Sequence, residues 1–399
     1  MTSGWRIGSI FGIPFLLNPA WFGSLLLFAF FFSADWLAAG WESSWAWLAG
    51  LLMALLLFAS VLLHELGHSL VAQSQGIAVN AITLFPFGGI ASIAQESKTP
   101  GQAFWVAISG PAVSFALFVL LFVTSLLLPT GLPLKTMLNH LAGINLVLAM
   151  FNMLPGLPLD GGQVLKALIW KTTGSRVKGV RWAAQSGQVL GWLGIGLGIL
   201  GFLVSLRFSF LWLVLLGWFG IRRASAYRRV IALQEAMLQI PASEAMARDF
   251  KRVDANLPLS EFTATYLTDD PDSAIYYAET SGRYVGLVQV EALRSIERSL
   301  WDFQTVQAIA QPLEELPTVN ESTSLAQVID QLETEQVPRL SVLSSAGAVV
   351  GVIDRADVVQ ALATKLRLLV PETVIQQIKT ESQFPDNLQL QGVARDALR

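Results

Sequence analysis

Long uncharged, mostly apolar runs fill the first 230 residues of the chain and are absent after them. Trp21–Ser33 follows Pro19, which suits the first turn of a helix, and predicts a first membrane span. Trp45–Leu70 predicts a second, with Asp35 and Glu42 in the intervening loop, and Ala103–Leu128, carrying Gly110-Pro111, a third. Thr136–Met153 begins a fourth, Gly187–Ser205 is a fifth with Gly194 and Gly198 spaced for close helix packing, and Phe208–Gly220 is a sixth. Two segments are too interrupted to span. Trp5–Leu17, with Gly12 and Pro14, and Ile77–Ala94, broken by Pro86 and Gly88-Gly89, predict strand hairpins at the membrane. Asn152–Gly162 places two prolines and three glycines in the continuation of the fourth span before a helix resumes at Gln163–Trp170. A broken helix in lipid is tolerated only where it lines a cavity.

From about Ile231 the chain turns polar and repeats itself. Val253–Leu259 matches Val319–Leu325 at an offset of 66, and Tyr284–Val288 matches Val349–Ile353 at an offset of 65. Each copy predicts a helix, two strands around a turn and a closing helix (Glu291–Leu300; Asp354–Leu366), so two copies make a paired α/β module. The expected fold class is a polytopic α-helical membrane protein with about six transmembrane helices and a small membrane-associated β-sheet, followed by a soluble α/β tandem module. Its expected boundaries are 1–229, 230–370 and a C-terminal tail, 371–399.

Composition agrees and excludes several classes. Residues are 53% hydrophobic and 14% charged, with mean hydropathy +0.54, which a uniformly soluble chain would not show. The net charge of −3 offers nucleic acid no partner, and the absence of cysteine removes disulfides, thiol nucleophiles and thiolate metal sites. The N-terminus has one early basic residue, Arg6, and no small-residue cleavage site, so no removable signal is expected. With that terminus inside, the inner loops hold Arg6, Lys98, Lys171, Arg176, Lys178, Arg181, Arg222, Arg223, Arg228 and Arg229, and the outer loops only Lys135 and Arg207. Both termini are therefore expected in the cytoplasm or its equivalent, with a bacterial inner membrane the leading location.

The chemistry concentrates in His64-Glu65-Leu66-Gly67-His68. Histidines four apart share a helix face and can reach one metal, with Glu65 beside them to work on a water: the H-E-x-x-H pattern of zinc hydrolases. Ionisable groups in an apolar span cost roughly 2.5–3.5 kcal/mol each near the helix centre, so they are seldom left there idle. The nineteen residues from Trp45 to Leu63 cover roughly 28 Å of a core about 30 Å thick, which places His64 toward the inner side. A catalytic zinc takes three protein ligands and keeps one open position. Asp160 is the best third ligand: it lies in the broken segment beside two glycines, as the only acidic residue between the third span and Arg222. Its other reading is an N-cap for the helix that follows, and capping and ligation are not exclusive. Asn152 could hydrogen-bond a developing oxyanion, and His140, with no partner at ligand spacing, reads as a packing residue.

Together the His64–His68 run, Phe87-Gly88-Gly89, Gly110-Pro111 and Asn152–Gly162 resemble the site-2 protease family of intramembrane metalloproteases over about the first 225 residues. The resemblance implies hydrolysis of a peptide bond in or beside the membrane-spanning segment of a single-span substrate, such as an anti-sigma factor. It assigns one catalytic Zn2+ to His64, His68 and Asp160, the base to Glu65 and a supporting role to Asn152. The Ile77–Ala94 segment resembles the family's membrane-associated sheet, whose edge could hold an unwound substrate as an added strand.

The repeat resembles a tandem pair of cystathionine-beta-synthase (CBS) domains, which often bind an adenine nucleotide between copies. The second copy has Asp357 at the ribose-binding position but Asp354 where a hydroxyl residue is usual, and the first copy has Ala292 in place of the ribose-binding Asp. A role as a dimerisation or lid module fits as well. A rival reading is a CBS-gated ion transporter or channel with His64, Glu65, His68 and Asp160 as the ion path. No inverted repeat relates the first three spans to the last three, and the residues form a hydrolase set.

Overall fold

Two short strands, β1 (Trp5–Ile10) and β2 (Ile13–Leu17), open the chain as an antiparallel hairpin. Phe11 and Gly12 at its tip both have positive φ, 50° and 79°, as a tight two-residue turn between twisted strands requires. The computed structural model describes residues 4–86, 88–93, 97–267, 275–385 and 390–398. Helices α1 (Trp21–Ala38) and α2 (Ser43–Ser74) follow, then β3 (Val79–Phe85) and β4 (Gly88–Ile93). β3 lies parallel to β2, so the two segments expected as separate hairpins form one sheet in the order β1-β2-β3-β4. A parallel pair needs a long crossover, and α1 with α2 supplies it. Phe87 lies outside the described residues.

Next come α3 (Pro100–Leu126), α4 (Pro133–Asn152), α5 (Asp160–Thr173), α6 (Arg176–Ser205) and, after a 3-10 turn at Phe208–Phe210, α7 (Leu211–Gln239). Five of these, α1, α2, α3, α4 and α6, are long and apolar enough to cross a membrane. The stretch expected as a sixth span, Phe208–Gly220, is the 3-10 turn plus the opening of α7. Its apolar run ends at Arg222, and the helix continues with polar sequence to Gln239. Glycines set the close approaches. A Cβ on Gly50 of α2 would lie 2.6 Å from the Ala29 carbonyl oxygen of α1. Along α6 the tight positions against α7 are Gly191 and Gly198, whose Cβ atoms would meet Ile221 and Val214 at 2.5 and 2.7 Å; Gly194, expected to share this role, has ordinary room. One face of the sheet packs on α2, with Ile13 and Ile82 against Leu66, and Leu17 and Leu84 against Phe58. The sheet therefore lies over the turn of α2 that carries the histidines.

The chain divides into two compact units, Met1–Arg228 and Arg229–Arg399. The second holds α8 (Ala242–Ala245), β5 (Phe250–Asp254), α9 (Leu259–Tyr266), β6 (Ile275–Thr280), β7 (Arg283–Val288), β8 (Ala310–Pro312) and β9 (Thr318–Asn320). It then runs through α10 (Leu325–Thr334), β10 (Arg339–Leu343), β11 (Val349–Asp354), α11 (Arg355–Leu366), α12 (Glu372–Glu381) and α13 (Leu390–Leu398). The sheets are β5-β6-β7-β8 and β9-β10-β11, one for each copy. They meet through Tyr277, Val349 and Val352, with Tyr277 Oη 2.6 Å from Ser341 Oγ.

The copies differ at their ends. The second closes with α11 as expected, but the Glu291–Leu300 helix expected in the first is two 3-10 turns, Val290–Ser295 and Arg298–Leu300. Asp354 and Asp357 form a reciprocal capping box that starts α11, whereas the matching Gln289 provides no side-chain cap and Ala292 cannot return one. The segment 371–399, expected as a tail, is part of the second unit: Ile378, Leu390 and Ala394 are buried in the core around α10 and α11.

Candidate metal centre

In the 32 residues of α2 the only titratable side chains are His64, Glu65 and His68. Both imidazoles are buried, and both face α3. Gly110 makes the meeting possible. A Cβ there would overlap Nε2 of His68 and lie 2.7 Å from Nε2 of His64, so the missing side chain leaves open the space where the two rings converge. Pro111 has no N–H to give the preceding turn of α3 and crowds its carbonyls. In that turn the Val106 carbonyl accepts a hydrogen bond from His68 Nδ1 at 2.6 Å. His64 Nδ1 is 2.9 Å from Ser114 Oγ, one turn farther along α3.

Asp160 comes from the broken segment. The helix cap is Leu159, and Asp160 is the first residue of α5, which frees its carboxylate. Gly161 and Gly162 let this turn fold directly onto the backbone of Met153–Leu157, where any Cβ would collide. The carboxylate reaches both rings, with Oδ2 3.0 Å from His64 Nε2 and Oδ1 3.3 Å from His68 Nε2. The two Nε2 atoms are themselves 3.3 Å apart. Among the described residues, His64, His68 and Asp160 form the group whose ligand atoms could hold one metal ion.

The donor set fits zinc. A ring that gives its Nδ1 proton to a carbonyl turns an Nε2 lone pair inward, so the network assigns His68 that tautomer. A cation placed among the two Nε2 atoms and the carboxylate would be held by all three. Two imidazoles and one carboxylate, with outer hydrogen bonds to the Val106 carbonyl and with Ser114, match the ligand types and support of a catalytic zinc site.

Glu65 points to the sheet. A Cβ on Gly89 of β4 would lie 2.5 Å from its Cγ, and the Ala91 backbone N–H donates to its carboxylate. β4 is an edge strand, so the outer edge of the sheet borders the glutamate. Asn152, the half-buried last residue of α4, makes no hydrogen bond to the cluster among the described residues. His140 stacks on Trp36, with ring centres 5.6 Å apart, as a packing residue would. Residue spacing alone passed over Val106, Ser114 and the Asn145–Ser60 pair. Asn145, fully buried on α4, donates to Ser60 Oγ at 3.0 Å, one helical turn before His64. The available signal was polar residues inside apolar runs: Ser60, Ser114 and Asn145 each stand in one.

The model of peptidase family M50 matches residues 52–133 and 130–194, and the CBS domain model matches residues 306–364. A protein of Synechocystis sp. bearing a zinc metalloprotease name is 40% identical over 367 residues, covering 91% of this chain and 97% of its own. The chain belongs to peptidase family M50, the site-2 protease family. A second relative, bearing the zinc metalloprotease name Rip3, of Mycobacterium tuberculosis, is 31% identical over 92% of this chain and 94% of its own. The solved site-2 protease from Methanocaldococcus jannaschii is 31% identical and covers 56% of this chain and 94% of that one, with a TM-score of 0.41. This M50 protein is thus an integral membrane zinc metalloprotease with a CBS domain, and family membership leaves the ion-transport reading without support.

In the C-terminal unit, a cavity of about 310 Å3 is lined by residues including Glu244, Asp357, Gln360, Thr364 and Lys365. Asp357 Oδ2 accepts from the Asp354 backbone N–H at 3.0 Å, and Asp354 Oδ1 accepts from the Asp357 N–H at 2.9 Å. Burial, reinforced by the neighbouring Asp354, pushes the Asp357 carboxyl up to about 6.

Proposed function

We propose that the protein cleaves peptide bonds within membrane-spanning segments of single-span proteins, with His64, His68 and Asp160 as zinc ligands and Glu65 as the proton carrier. The observation that carries this reading is the convergence of two imidazole Nε2 atoms, from a helix of membrane-spanning length, with one carboxylate from the first residue of α5. When bound, the zinc ion polarises the scissile carbonyl and brings the pKa of water to about 7. Glu65 accepts the proton of the attacking water as its oxygen bonds the carbonyl carbon, then returns that proton to the leaving nitrogen as the C–N bond breaks. The Ala91 amide holds the Glu65 carboxylate in place for both transfers. Ser114 and the Val106 carbonyl keep the rings oriented, and Asn152 hydrogen-bonds the substrate near the reacting carbonyl.

A helical peptide bond is shielded by its own hydrogen bonds, so the substrate must unwind. We assign that step to the outer edge of β4, where a substrate strand would lie beside Glu65. The two-residue period puts the Ile93 N–H on the same edge as that of Ala91. Ile93→Pro removes this donor and should lower cleavage with zinc retained; undiminished cleavage refutes the strand-addition step. We assign both termini to the cytoplasm. The packing of α7 back along α6, from Phe210 against Gly201 to Arg228 bonded to Gln188, supports this. In the C-terminal unit, an adenine nucleotide beside Asp357 and dimerisation through the repeat are the regulatory roles proposed; calorimetric titration with ATP and AMP tests the first.

The deciding experiment reconstitutes the full chain in liposomes with a panel of single-span substrates and measures metal content on the same sample. Parent protein should carry zinc and cleave, and Glu65→Gln should carry zinc and not cleave. Metal-free parent that still cleaves, or undiminished cleavage by Glu65→Gln, overturns the reading.

A further inference from the structure

Between Asp160 and Glu235 the sequence contains no Asp or Glu, yet Arg222, Arg223, Arg228 and Arg229 crowd into eight residues of α7. Arg222 and Arg223 are exposed and make no ion pair among the described residues. Their guanidinium groups lie over aromatic faces instead, Arg222 at 5.0 Å from the Trp218 ring centre and Arg223 at 5.0 Å from that of Phe219. Directly below Trp218 is a groove of about 440 Å3 lined by Ile195 of α6 and by Leu211, Val214, Leu215 and Trp218 of α7.

Residues 211, 215, 218 and 222 recur at helical spacing, so one stripe of α7 carries an apolar trough, an aromatic ring and an unpaired cation in that order. From Leu211 to Arg222 the stripe rises roughly 16 Å, about half of a hydrocarbon core about 30 Å thick. That is the depth of one leaflet. A soluble anion would account for the arginine but not the trough, and a neutral lipid for the trough but not the arginine.

We infer that this stripe is a binding site for one anionic glycerophospholipid, its phosphate on Arg222 and one acyl chain in the groove from Trp218 to Leu211. The site is separate from the metal centre. It rests on α6 and the opening of α7 lying in the bilayer, and not on proteolysis.

Native mass spectrometry of the full chain in detergent, given equal amounts of phosphatidylglycerol and phosphatidylcholine, tests it. The parent should retain phosphatidylglycerol preferentially. Arg222→Gln should lower that preference about fivefold, the effect expected of one arginine at an anionic headgroup. Arg222→Lys should largely keep it, and Arg223→Gln, about 100° around the helix from Arg222 and so off the stripe, should leave it unchanged. Val214→Trp fills the trough and should reduce retention even with Arg222 in place. Excess inorganic phosphate should fail to displace the lipid. Equal retention of the two lipids by the parent overturns the site, as does a preference that survives Arg222→Gln or full retention by Val214→Trp. Complete displacement by inorganic phosphate overturns it too, and a doubled mass without lipid would give the groove to a second copy. Because every readout is lipid binding, a failure here leaves the protease reading standing, and a failed cleavage assay leaves this one standing.

Discussion

Polar side chains are buried in both units, but to different ends. In the first, His64, His68 and Asp160 bring two imidazole Nε2 atoms and a carboxylate within 3.3 Å of one another, an arrangement that one bound cation would satisfy together. In the second, the buried Arg355 and the Tyr277–Ser341 pair already have their complements. Arg355 donates to Glu333 at 2.7 Å and to the carbonyls of Val337 and Leu332 at 2.8 and 2.9 Å, closing the turn between α10 and β10 onto α11. Tyr277 and Ser341 satisfy each other across the two sheets. The difference is a working criterion: buried polar atoms that complete one another hold a fold together, and buried metal-ligand atoms that converge on one point mark a site.

The criterion breaks most sharply at Gly110. An added methyl there falls on the imidazole nitrogens while adding only one carbon to α3. Gly110→Ala should therefore reduce zinc affinity by more than the 10–100-fold typical of outer-shell changes and abolish cleavage, with the fold kept. Zinc content by elemental analysis alongside thermal unfolding checks it; a fully loaded variant would show that the rings meet elsewhere. Ser114→Ala should fall within the 10–100-fold range, read by chelator competition, because His64 loses its orienting partner but keeps its ring.

The same logic reverses in the C-terminal unit. Arg355→Ala leaves Glu333 and two carbonyls without their donor, so it should cost about 3 kcal/mol of stability, the low end for a broken buried pair because Glu333 is partly exposed. Zinc content should not change. Loss of zinc from this variant would mean that the polar groups of the two units are not independent.

How much of this was readable in advance follows from the same contrast. The spans, the H-E-x-x-H face and Asp160 were legible because lipid makes charge rare, so every ionisable residue in an apolar run stands out. The joining of two hairpins into one sheet was not, since a parallel β2–β3 pair is a long-range contact that leaves no local pattern. The Val106 carbonyl was invisible for a simpler reason: a backbone acceptor has no residue type. Asn152 was legible as a motif, but the structure gives it no partner in the cluster. The sixth apolar stretch, Phe208–Gly220, was legible, but that its helix runs on past the arginines beginning two residues later, to Gln239, was not.

Asp357 sharpens the comparison by pH. Its carboxyl stands at about 6 in the folded protein against an ordinary 3.8, through burial first and the charge of Asp354 second. The folded state therefore binds more protons than the unfolded one between those values, so stability falls as pH rises through that window. Its contribution is fully present below about pH 4 and lost above about pH 6. Asp357→Asn keeps the oxygen that accepts from the Asp354 N–H and should flatten the dependence, seen as a smaller change in the denaturation midpoint between pH 5 and pH 7. An unchanged slope would place the titration on another group.

The smallest effect separates the two copies of the repeat. They share a strand pair and the glycine that lets another segment cross it, Gly286 under Gln311 and Gly351 under Ala247. They part at the next turn, where the second copy has both halves of a capping box and the first has neither. The first turn of a helix leaves four backbone N–H groups without intrahelical partners, and a short segment lacking a cap can tighten into 3-10 geometry instead. Restoring the pair with Gln289→Asp and Ala292→Asp should extend Val290–Ser295 as α-helix and add about 1 kcal/mol, the usual worth of a good cap. Gln289 now donates to Gln311 at 2.9 Å, so Gln289→Asp alone should gain less than the pair. Amide exchange across 290–300 reads the outcome directly. Protection that rises in the double variant and not in either single one would show that the capping box, and not tertiary packing, sets the divergence of the two copies; no rise at all would return the cause to packing.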